Sequence, residues 1–145
     1  MDDLITKELI VLDLDLSSKE DVIKEMARVI EGQGRLYDYN NYVKQVFARE
    51  KDFPTAVGFE VAIPHGKTDS VKNASLAFAR LRHEIQWSDE EKVKYVFLIA
   101  VPETEAGDTH LKILAQLSRK IMREEFREKL KFSLGIDELL EVLTA

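Results

Sequence analysis

The feature that most restricts the fold of this chain is an almost unbroken apolar stretch at residues 93–101. Apart from Lys94, it contains only valine, tyrosine, phenylalanine, leucine, isoleucine and alanine. These residue types favour a β-strand, and a strand that is apolar on both faces must be covered on both. We therefore expect this segment to lie at the centre of a sheet that has further layers packed against it.

The segments around this strand alternate between strand-like and helical periods. Strand patterns occupy residues 9–16, 57–63 and 74–81. Apolar residues recur at helical spacing over residues 22–30, 40–50, 111–130 and 136–143. This order of strands and helices predicts an α+β protein that forms a single domain over residues 1–145. We expect α/β/α layers, in which helices flank a mixed central β-sheet.

Composition excludes several classes of function. The 145-residue chain has a formal net charge of −6, whereas a nucleic-acid-binding protein normally needs a basic surface, so we expect no nucleic-acid partner. The chain contains no cysteine, which excludes disulfides and thiolate chemistry. Neither a signal peptide nor an apolar run of membrane-spanning length is visible, so we expect a cytoplasmic protein without direct membrane insertion.

One histidine follows a short apolar run in the sequence Val-Ala-Ile-Pro-His-Gly-Lys at residues 61–67. Pro64 fixes one backbone dihedral angle and cannot donate a ladder hydrogen bond, so we expect a strand to end there. Gly66 has no side chain to block another molecule that approaches the imidazole ring. His65 is therefore either held for nucleophilic or acid–base chemistry or is a histidine that merely ends a strand, and spacing alone leaves both interpretations open.

The other two histidines have different surroundings. His110 follows Asp108, which suits an N-cap, so we expect His110 in the first turn of a helix, where free N–H groups favour an anion. The alternative is a first-turn residue that faces solvent. His83 follows a predicted strand among charged residues and is interpreted as an exposed connector residue without a function. The three histidines lack the spacing of metal ligands, so we expect no metal site.

Together these residues resemble the fructose/mannitol-type enzyme IIA of the bacterial phosphoenolpyruvate-dependent sugar phosphotransferase system. The residues that carry the resemblance are Ala-Ile-Pro-His-Gly-Lys at 62–67, the preceding Arg49-Glu50 and Pro54-Thr55, the strand at 96–102, and His110 at the start of a leucine-rich helix. The resemblance extends from about residue 4 to residue 143, which is nearly the whole chain.

The resemblance implies a role for each matching residue. His65 would be the phosphorylated residue, and His110 would help to hold the phosphoryl group and fix the ring of His65. Arg49 would supply positive charge toward the phosphoryl oxygens, and Thr55 would add a hydrogen bond. The donor would be the small histidine phosphocarrier protein and the acceptor a sugar-specific enzyme IIB, with no metal or other cofactor.

Three functions remain open at this point. The first is a phosphocarrier that supports sugar uptake coupled to sugar phosphorylation. The second is a nitrogen-type regulatory protein, in which phosphorylation of the equivalent histidine controls partner proteins. The third is a relative with an inert His65 that only binds a partner. Ala56 and Phe59-Glu60 depart from the commonest family pattern, and we expect them to alter either the approach surface or the identity of the sugar system without removing a group that the transfer requires.

Overall fold

A central β-sheet carries helices on both faces in the computed structural model, which describes residues 4–104 and 109–145. The strands are β1 (Ile10–Leu14), β2 (Ala56–Gly58), β3 (Val61–Ala62), β4 (His65–Thr68), β5 (Ser75–Gln86) and β6 (Lys92–Pro102). The helices are α1 (Lys19–Gly32), α2 (Tyr39–Asp52), α3 (Thr109–Ile121), α4 (Glu124–Phe132) and α5 (Ile136–Thr144). The α+β layered fold is therefore confirmed.

Strand β6 occupies the centre of the sheet. The strand order is β1-β5-β6-β3-β2, and β4 also pairs with β6. β1 runs parallel to β5, and β3 and β4 run parallel to β6, whereas the β5–β6 and β2–β3 pairs are antiparallel. The sheet is therefore mixed, and the central position predicted for residues 93–101 is confirmed.

Alternate side chains of β6 belong to two separate hydrophobic cores. Between Tyr95 and Val101, the even-numbered side chains pack with α1 and α2 on one face of the sheet. The odd-numbered side chains pack with α3, α4 and α5 on the other face. Because successive residues of a strand point to opposite faces, this alternation also decides on which side each residue of the paired strand β4 lies.

The two helices on the first face begin at well-formed caps. The Ser18 hydroxyl accepts a hydrogen bond from the Asp21 backbone N–H at 3.1 Å. The Asp38 carboxylate accepts one from the Asn41 backbone N–H, also at 3.1 Å. Each bond satisfies a backbone donor that the first helical turn leaves free. The helix predicted over residues 40–50 is confirmed as α2, with one further residue at its start and two at its end.

The continuous strand predicted over residues 57–63 is wrong. β2 and β3 instead form an antiparallel hairpin with Phe59 and Glu60 at its turn. Both turn residues have positive φ, 57° and 63°, as the tight type I′ hairpin turn requires. Such turns usually contain glycine or asparagine, so a Phe-Glu pair inside an alternating pattern gives no sequence signal for a turn.

β3 and β4 form a single strand that is interrupted at Ile63 and Pro64. Val61 is paired with Tyr95 and His65 with Ile99, so the register against β6 is the same on both sides of the gap. The Pro64 carbonyl accepts the Ile99 N–H at 3.0 Å, although proline has no N–H to donate. Pairing therefore stops before Pro64, as predicted, but resumes immediately at His65.

β5 extends further than the predicted strand over residues 74–81. It continues to Gln86, with a register shift between Arg80 and Ile85. His83 therefore lies within a strand, and its interpretation as a connector residue is wrong, although its expected exposure is confirmed. The sequence did not indicate this part of the strand, because exposed charged residues such as those around His83 are also typical of a loop.

The helical segment predicted over residues 111–130 is divided into two helices, α3 and α4. Leu111, at the start of the apolar row over residues 111–130, is 64% exposed, and Met122 between the helices is 69% exposed. The buried row of α3 consists of Ile113, Leu117 and Ile121. Within the described ranges, no helix has both the length and the apolar character needed to cross a membrane.

Gly66 allows α2 to pack closely on β4. A Cβ atom at Gly66 would lie 3.1 Å from Val46 Cγ2 and 3.2 Å from Tyr42 Cε1. Both side chains are fully buried, and the Tyr42 hydroxyl donates a hydrogen bond to the Ile99 carbonyl at 2.9 Å. Tyr42 therefore has little freedom to move away, and the missing side chain serves helix packing.

We expect Gly66→Ala to lower the free energy of unfolding by about 1–3 kcal/mol, because the added methyl group overpacks the α2–β4 contact. Urea denaturation followed by circular dichroism measures this change. Gly32→Ala is the matched control, since no atom lies within 4 Å of its Cβ position and it ends helix α1. Equal unfolding midpoints for the two variants would contradict the close packing at Gly66.

Candidate functional site

His65 is the first residue of β4, and its side chain lies on the face of the sheet that α3 covers. Its register partner Ile99 belongs to the core on that face. Only 8% of the His65 surface is exposed, so the imidazole is largely removed from water. The motif therefore places the ring between the sheet and the beginning of α3, not on an open loop.

One hydrogen bond within its own segment orients the ring of His65. Nδ1 lies 2.9 Å from the backbone carbonyl oxygen of Ile63. Because a carbonyl oxygen only accepts, Nδ1 must carry the proton and donate it. In the neutral ring Nε2 is then unprotonated, and its lone pair is available for nucleophilic attack.

His110 is the second residue of α3 and contacts His65. The two ring centroids are 4.7 Å apart, with an angle of 51° between the ring planes. His110 Nε2 is buried and has no hydrogen-bond partner in the described part of the chain. The alternative of a solvent-facing first-turn residue is therefore wrong, and a polar atom without a partner marks a place where a ligand would bind. The proposed N-cap Asp108 lies outside the described residues.

Burial lowers the pKa of both histidines below the ordinary value near 6.5. Loss of hydration is the main cause at His65; the hydrogen bond to the Ile63 carbonyl opposes it by raising the pKa, Arg49 lowers the pKa and Glu50 raises it. At His110 burial is again the largest cause, followed by the charges of His65, Lys67 and Arg49, which all lower the pKa. Both rings are therefore mostly neutral at neutral pH, the form in which an imidazole acts as a nucleophile.

A shallow depression of about 340 Å³ opens at the two rings. Its lining residues are Gln45, Ala48, Arg49, Asp52, His65, Gly66, Lys67 and His110. Lys67 is exposed and lies on the same face of β4 as His65, two residues along the strand. The sequence motif contained Lys67, but only the structure shows that its charge belongs to this depression.

Arg49 brings a second cation to the depression from the last turn of α2. Its Nη1 donates a hydrogen bond to the Phe53 carbonyl at 2.8 Å, which holds the side chain at the end of its own helix. The structure thus brings the three predicted site residues, His65, His110 and Arg49, to one surface. A neutral nucleophile, a buried atom without a partner and two cations suit the transfer of an anionic group.

A buried carboxylate that the sequence did not reveal lies next to the site. Glu50 is 3% exposed, and its Oε1 accepts hydrogen bonds from the Thr55 N–H at 3.0 Å and from the Trp87 indole N–H at 2.8 Å. The Lys19 ammonium pairs with the same oxygen at 3.1 Å. The sequence signals for this cluster were a lone tryptophan in a charged segment and a glutamate beside Arg49, and neither identifies a partner by itself.

The Thr55 hydroxyl donates to the other oxygen of Glu50, and Thr55 is 4% exposed. The side chain is thus engaged with Glu50, which differs from the predicted hydrogen bond to a phosphoryl group. Thr55 is buried and is not among the residues that line the depression.

His83 is the only histidine on β5, and it is exposed. Across residues 4–104 and 109–145, no three histidine, cysteine, aspartate or glutamate side chains are arranged to hold a metal ion.

The chain is similar to proteins of one family over nearly its whole length. Residues 3–145 match the family model described as phosphoenolpyruvate-dependent sugar phosphotransferase system, EIIA 2. The chain is 36% identical over 143 residues to the fructose-specific EIIABC component of the phosphotransferase system of Bacillus subtilis, an alignment that covers 97% of this chain and 22% of that protein. It spans 17–22% of the length of several curated relatives that it matches.

Two solved structures are similar over almost their full length. The nitrogen regulatory protein IIA-Ntr from Neisseria meningitidis has 32% sequence identity and a TM-score of 0.87, and the match covers 97% of this chain and 96% of that one. Enzyme IIA-Mtl, in its complex with phosphorylated enzyme IIB-Mtl from Escherichia coli, has 26% identity and a TM-score of 0.83, with 97% and 99% covered.

We expect NMR titration to place the imidazole pKa values of His65 and His110 below 6.5 and to find the Nδ1–H tautomer at His65. Because the pKa values are lower in the folded state, the unfolded chain binds more protons below about pH 6.5. The contribution of these rings to stability is therefore lost as the pH falls from there through the folded-state values. A titration midpoint of His65 above 6.5, or ¹⁵N shifts showing a protonated Nε2 at neutral pH, would contradict this geometry.

Proposed function

The chain belongs to the type-2 enzyme IIA family of phosphoenolpyruvate-dependent sugar phosphotransferase systems, and from that premise we propose that it is a cytoplasmic phosphocarrier. His65 accepts a phosphoryl group from the histidine phosphocarrier protein and passes it to a sugar-specific enzyme IIB. The transfer supports the uptake of a sugar coupled to its phosphorylation. His110, Arg49 and Lys67 bind the negatively charged phosphoryl group during the transfer.

The observation that carries this proposal is the hydrogen bond from His65 Nδ1 to the Ile63 carbonyl. It selects the tautomer in which Nε2 has a free lone pair, and burial keeps the ring neutral at neutral pH by lowering its pKa. Phosphoryl transfer from a phosphohistidine needs little covalent activation by the protein. It requires a positioned nucleophile and neutralisation of charge, and the site offers both.

In the proposed step, Nε2 of His65 forms a bond to phosphorus while the bond between phosphorus and the donor imidazole breaks. The electron pair of the broken bond stays on the donor nitrogen, so the donor returns to a neutral imidazole. His65 keeps its Nδ1 proton, and its ring becomes positively charged. The Ile63 carbonyl oxygen faces this proton at 2.9 Å from Nδ1 and stabilises the charged product. The second transfer reverses these steps toward enzyme IIB.

Three side chains and one helix terminus interact favourably with the negative charge of the phosphoryl oxygens. His110 Nε2, which is buried without a partner among the described residues, donates to an oxygen when it carries the proton. Arg49 and Lys67 supply positive charge from the wall of the depression. The N-terminal turn of α3, which contains His110, adds backbone dipoles of the favourable sign.

Support for enzyme IIB as the acceptor comes from the mannitol system of Escherichia coli, where the related enzyme IIA-Mtl is seen in complex with phosphorylated enzyme IIB-Mtl. The donor is inferred from the family itself. We expect both partners to use the surface around His65, because the same nitrogen must reach the donor first and the acceptor afterwards.

A regulatory role is the second candidate. It is favoured by the similarity to the nitrogen regulatory protein IIA-Ntr, which is 32% identical and covers almost the whole chain. In that case the phosphorylated state of His65 would control the binding of other proteins, and no enzyme IIB would be needed. The chemistry at His65 is the same in both roles, so the two are separated by the fate of the phosphoryl group.

We expect intact-mass spectrometry to show one acid-labile phosphoryl group on the wild-type chain after incubation with phosphoenolpyruvate, enzyme I and the histidine phosphocarrier protein. His65→Ala should gain none, since it lacks the accepting nitrogen. His110→Ala should accept the group about tenfold or more slowly, because a donor to the phosphoryl oxygens is lost. His83→Ala is the matched control and should behave as wild type.

An unmodified wild-type chain in the presence of phosphorylated donor would rule out the phosphocarrier role. Loss of the phosphoryl group on addition of a sugar-specific enzyme IIB would favour transport. Its retention in the presence of every enzyme IIB of the same organism would favour regulation.

A further inference from the structure

We propose that Glu50 is a positioning residue that sets, through Thr55 and Ile63, the tautomer in which His65 reacts. This inference deepens the proposed function and rests on His65 being the nucleophile. Glu50 itself does not touch the transferred group, because it is buried and is not among the residues that line the depression.

The carboxylate of Glu50 is held by groups from distant parts of the chain. Lys19 lies at the beginning of α1, and Trp87 follows β5, 37 residues from Glu50 in sequence. The Trp87 carbonyl also accepts a hydrogen bond from Lys19 Nζ at 3.3 Å. A charge is expensive to bury unless it is paired and hydrogen-bonded, and here both oxygens have donors. Glu50 is therefore a fixed point beside the site.

From this fixed point, two hydrogen bonds hold Thr55. Its backbone N–H donates to Glu50 Oε1 at 3.0 Å, and its hydroxyl donates to Oε2. The Thr55 carbonyl in turn accepts the Ile63 N–H at 3.1 Å. Ile63 lies in the gap between β3 and β4, outside both strands, so this bond to Thr55 takes the place of strand pairing in fixing its peptide groups.

Ile63 completes the connection to the reacting ring. Its carbonyl oxygen accepts the Nδ1–H of His65 at 2.9 Å. A free imidazole in water favours the other tautomer, in which Nε2 carries the proton and cannot attack phosphorus. Three consecutive links, from Glu50 to Thr55, Ile63 and His65, therefore oppose the unreactive tautomer.

The charge of Glu50 allows its positioning role to be distinguished from an effect on the pKa of His65. Its carboxylate raises the pKa of His65, against the larger effect of burial. Removing the carboxylate would lower this pKa further and leave His65 at least as neutral at pH 7.5. A slower transfer in such a variant would then reflect a misplaced proton within the neutral ring, not a protonated ring.

The test uses the full chain and two measurements, the His65 tautomer from ¹⁵N shifts and the initial rate of phosphorylation by the phosphorylated histidine phosphocarrier protein. We expect Glu50→Ala to increase the fraction of protonated Nε2 and to slow phosphorylation about tenfold or more at pH 7.5. Glu50→Gln should keep the wild-type tautomer and a rate close to wild type, because its amide oxygen still accepts from the Thr55 N–H and its amide nitrogen can donate to the Thr55 hydroxyl.

Trp87→Phe is the matched control. It removes one donor to Glu50 and lowers stability but leaves the bonds to Thr55 and Ile63 in place, so the His65 tautomer and the rate should be unchanged. If Glu50→Ala does not fold, Thr55→Val replaces it, because it deletes one of the two bonds between Thr55 and Glu50 while keeping the branched side chain. We expect a smaller change of the same sign.

A folded Glu50→Ala or Thr55→Val variant that keeps the Nδ1–H tautomer would overturn the positioning role. A Trp87→Phe variant that shifted the tautomer as much as Glu50→Ala would overturn it too, since loss of packing alone would then explain both changes. Failure of the proposed function is seen separately, as a wild-type chain that is never phosphorylated, and the tautomer measurement still decides the role of Glu50 in that case.

Discussion

The site depends on the interruption of one strand at Ile63 and Pro64. β6 holds the segments on both sides in the same register, so the gap does not displace His65 from the sheet. Within the gap, the Ile63 carbonyl is directed to the His65 ring and the Ile63 N–H to Thr55. Pro64 has no N–H to donate to β6, but its carbonyl still accepts the Ile99 N–H, so only the donor half of the pairing is lost at this residue. The backbone thereby orients a side chain that a regular strand would leave unrestrained.

Successive side chains of the four-residue strand β4 point to opposite faces of the sheet, so β4 contributes to the packing on both faces. His65 and Lys67 point toward α3, whereas Gly66 faces α2 and allows Tyr42 and Val46 to pack closely. Close packing of α2 in turn brings its last turn, which carries Arg49 and Glu50, to the same edge of the site. One short strand therefore fixes both His65 and the helix that supplies charged groups.

The net charge of the whole chain is negative, whereas the charged residues that line the site are mainly positive. The chain has a formal net charge of −6, but the depression at His65 and His110 is lined by two cations, Arg49 and Lys67, and by one carboxylate, Asp52. Burial and Arg49 lower the pKa of both imidazoles, and Lys67 also lowers the pKa of His110. The same surroundings that keep the rings neutral therefore favour the arrival of an anionic group, which is the combination that phosphoryl transfer needs.

The sequence by itself determined the central strand, helices α1 and α2, and the place of His65 after Pro64, because these features follow from local periodicity and from the chemistry of single residues. It did not reveal the Phe59–Glu60 turn, whose positive φ values neither residue type signals. The tautomer of His65 and the cluster around Glu50 were decided by the tertiary structure. The cluster depends on hydrogen bonds between residues as far as 68 positions apart, and the His65 tautomer depends on the position that the fold gives to the Ile63 carbonyl. Only the folded sheet and helices bring these groups within reach of one another.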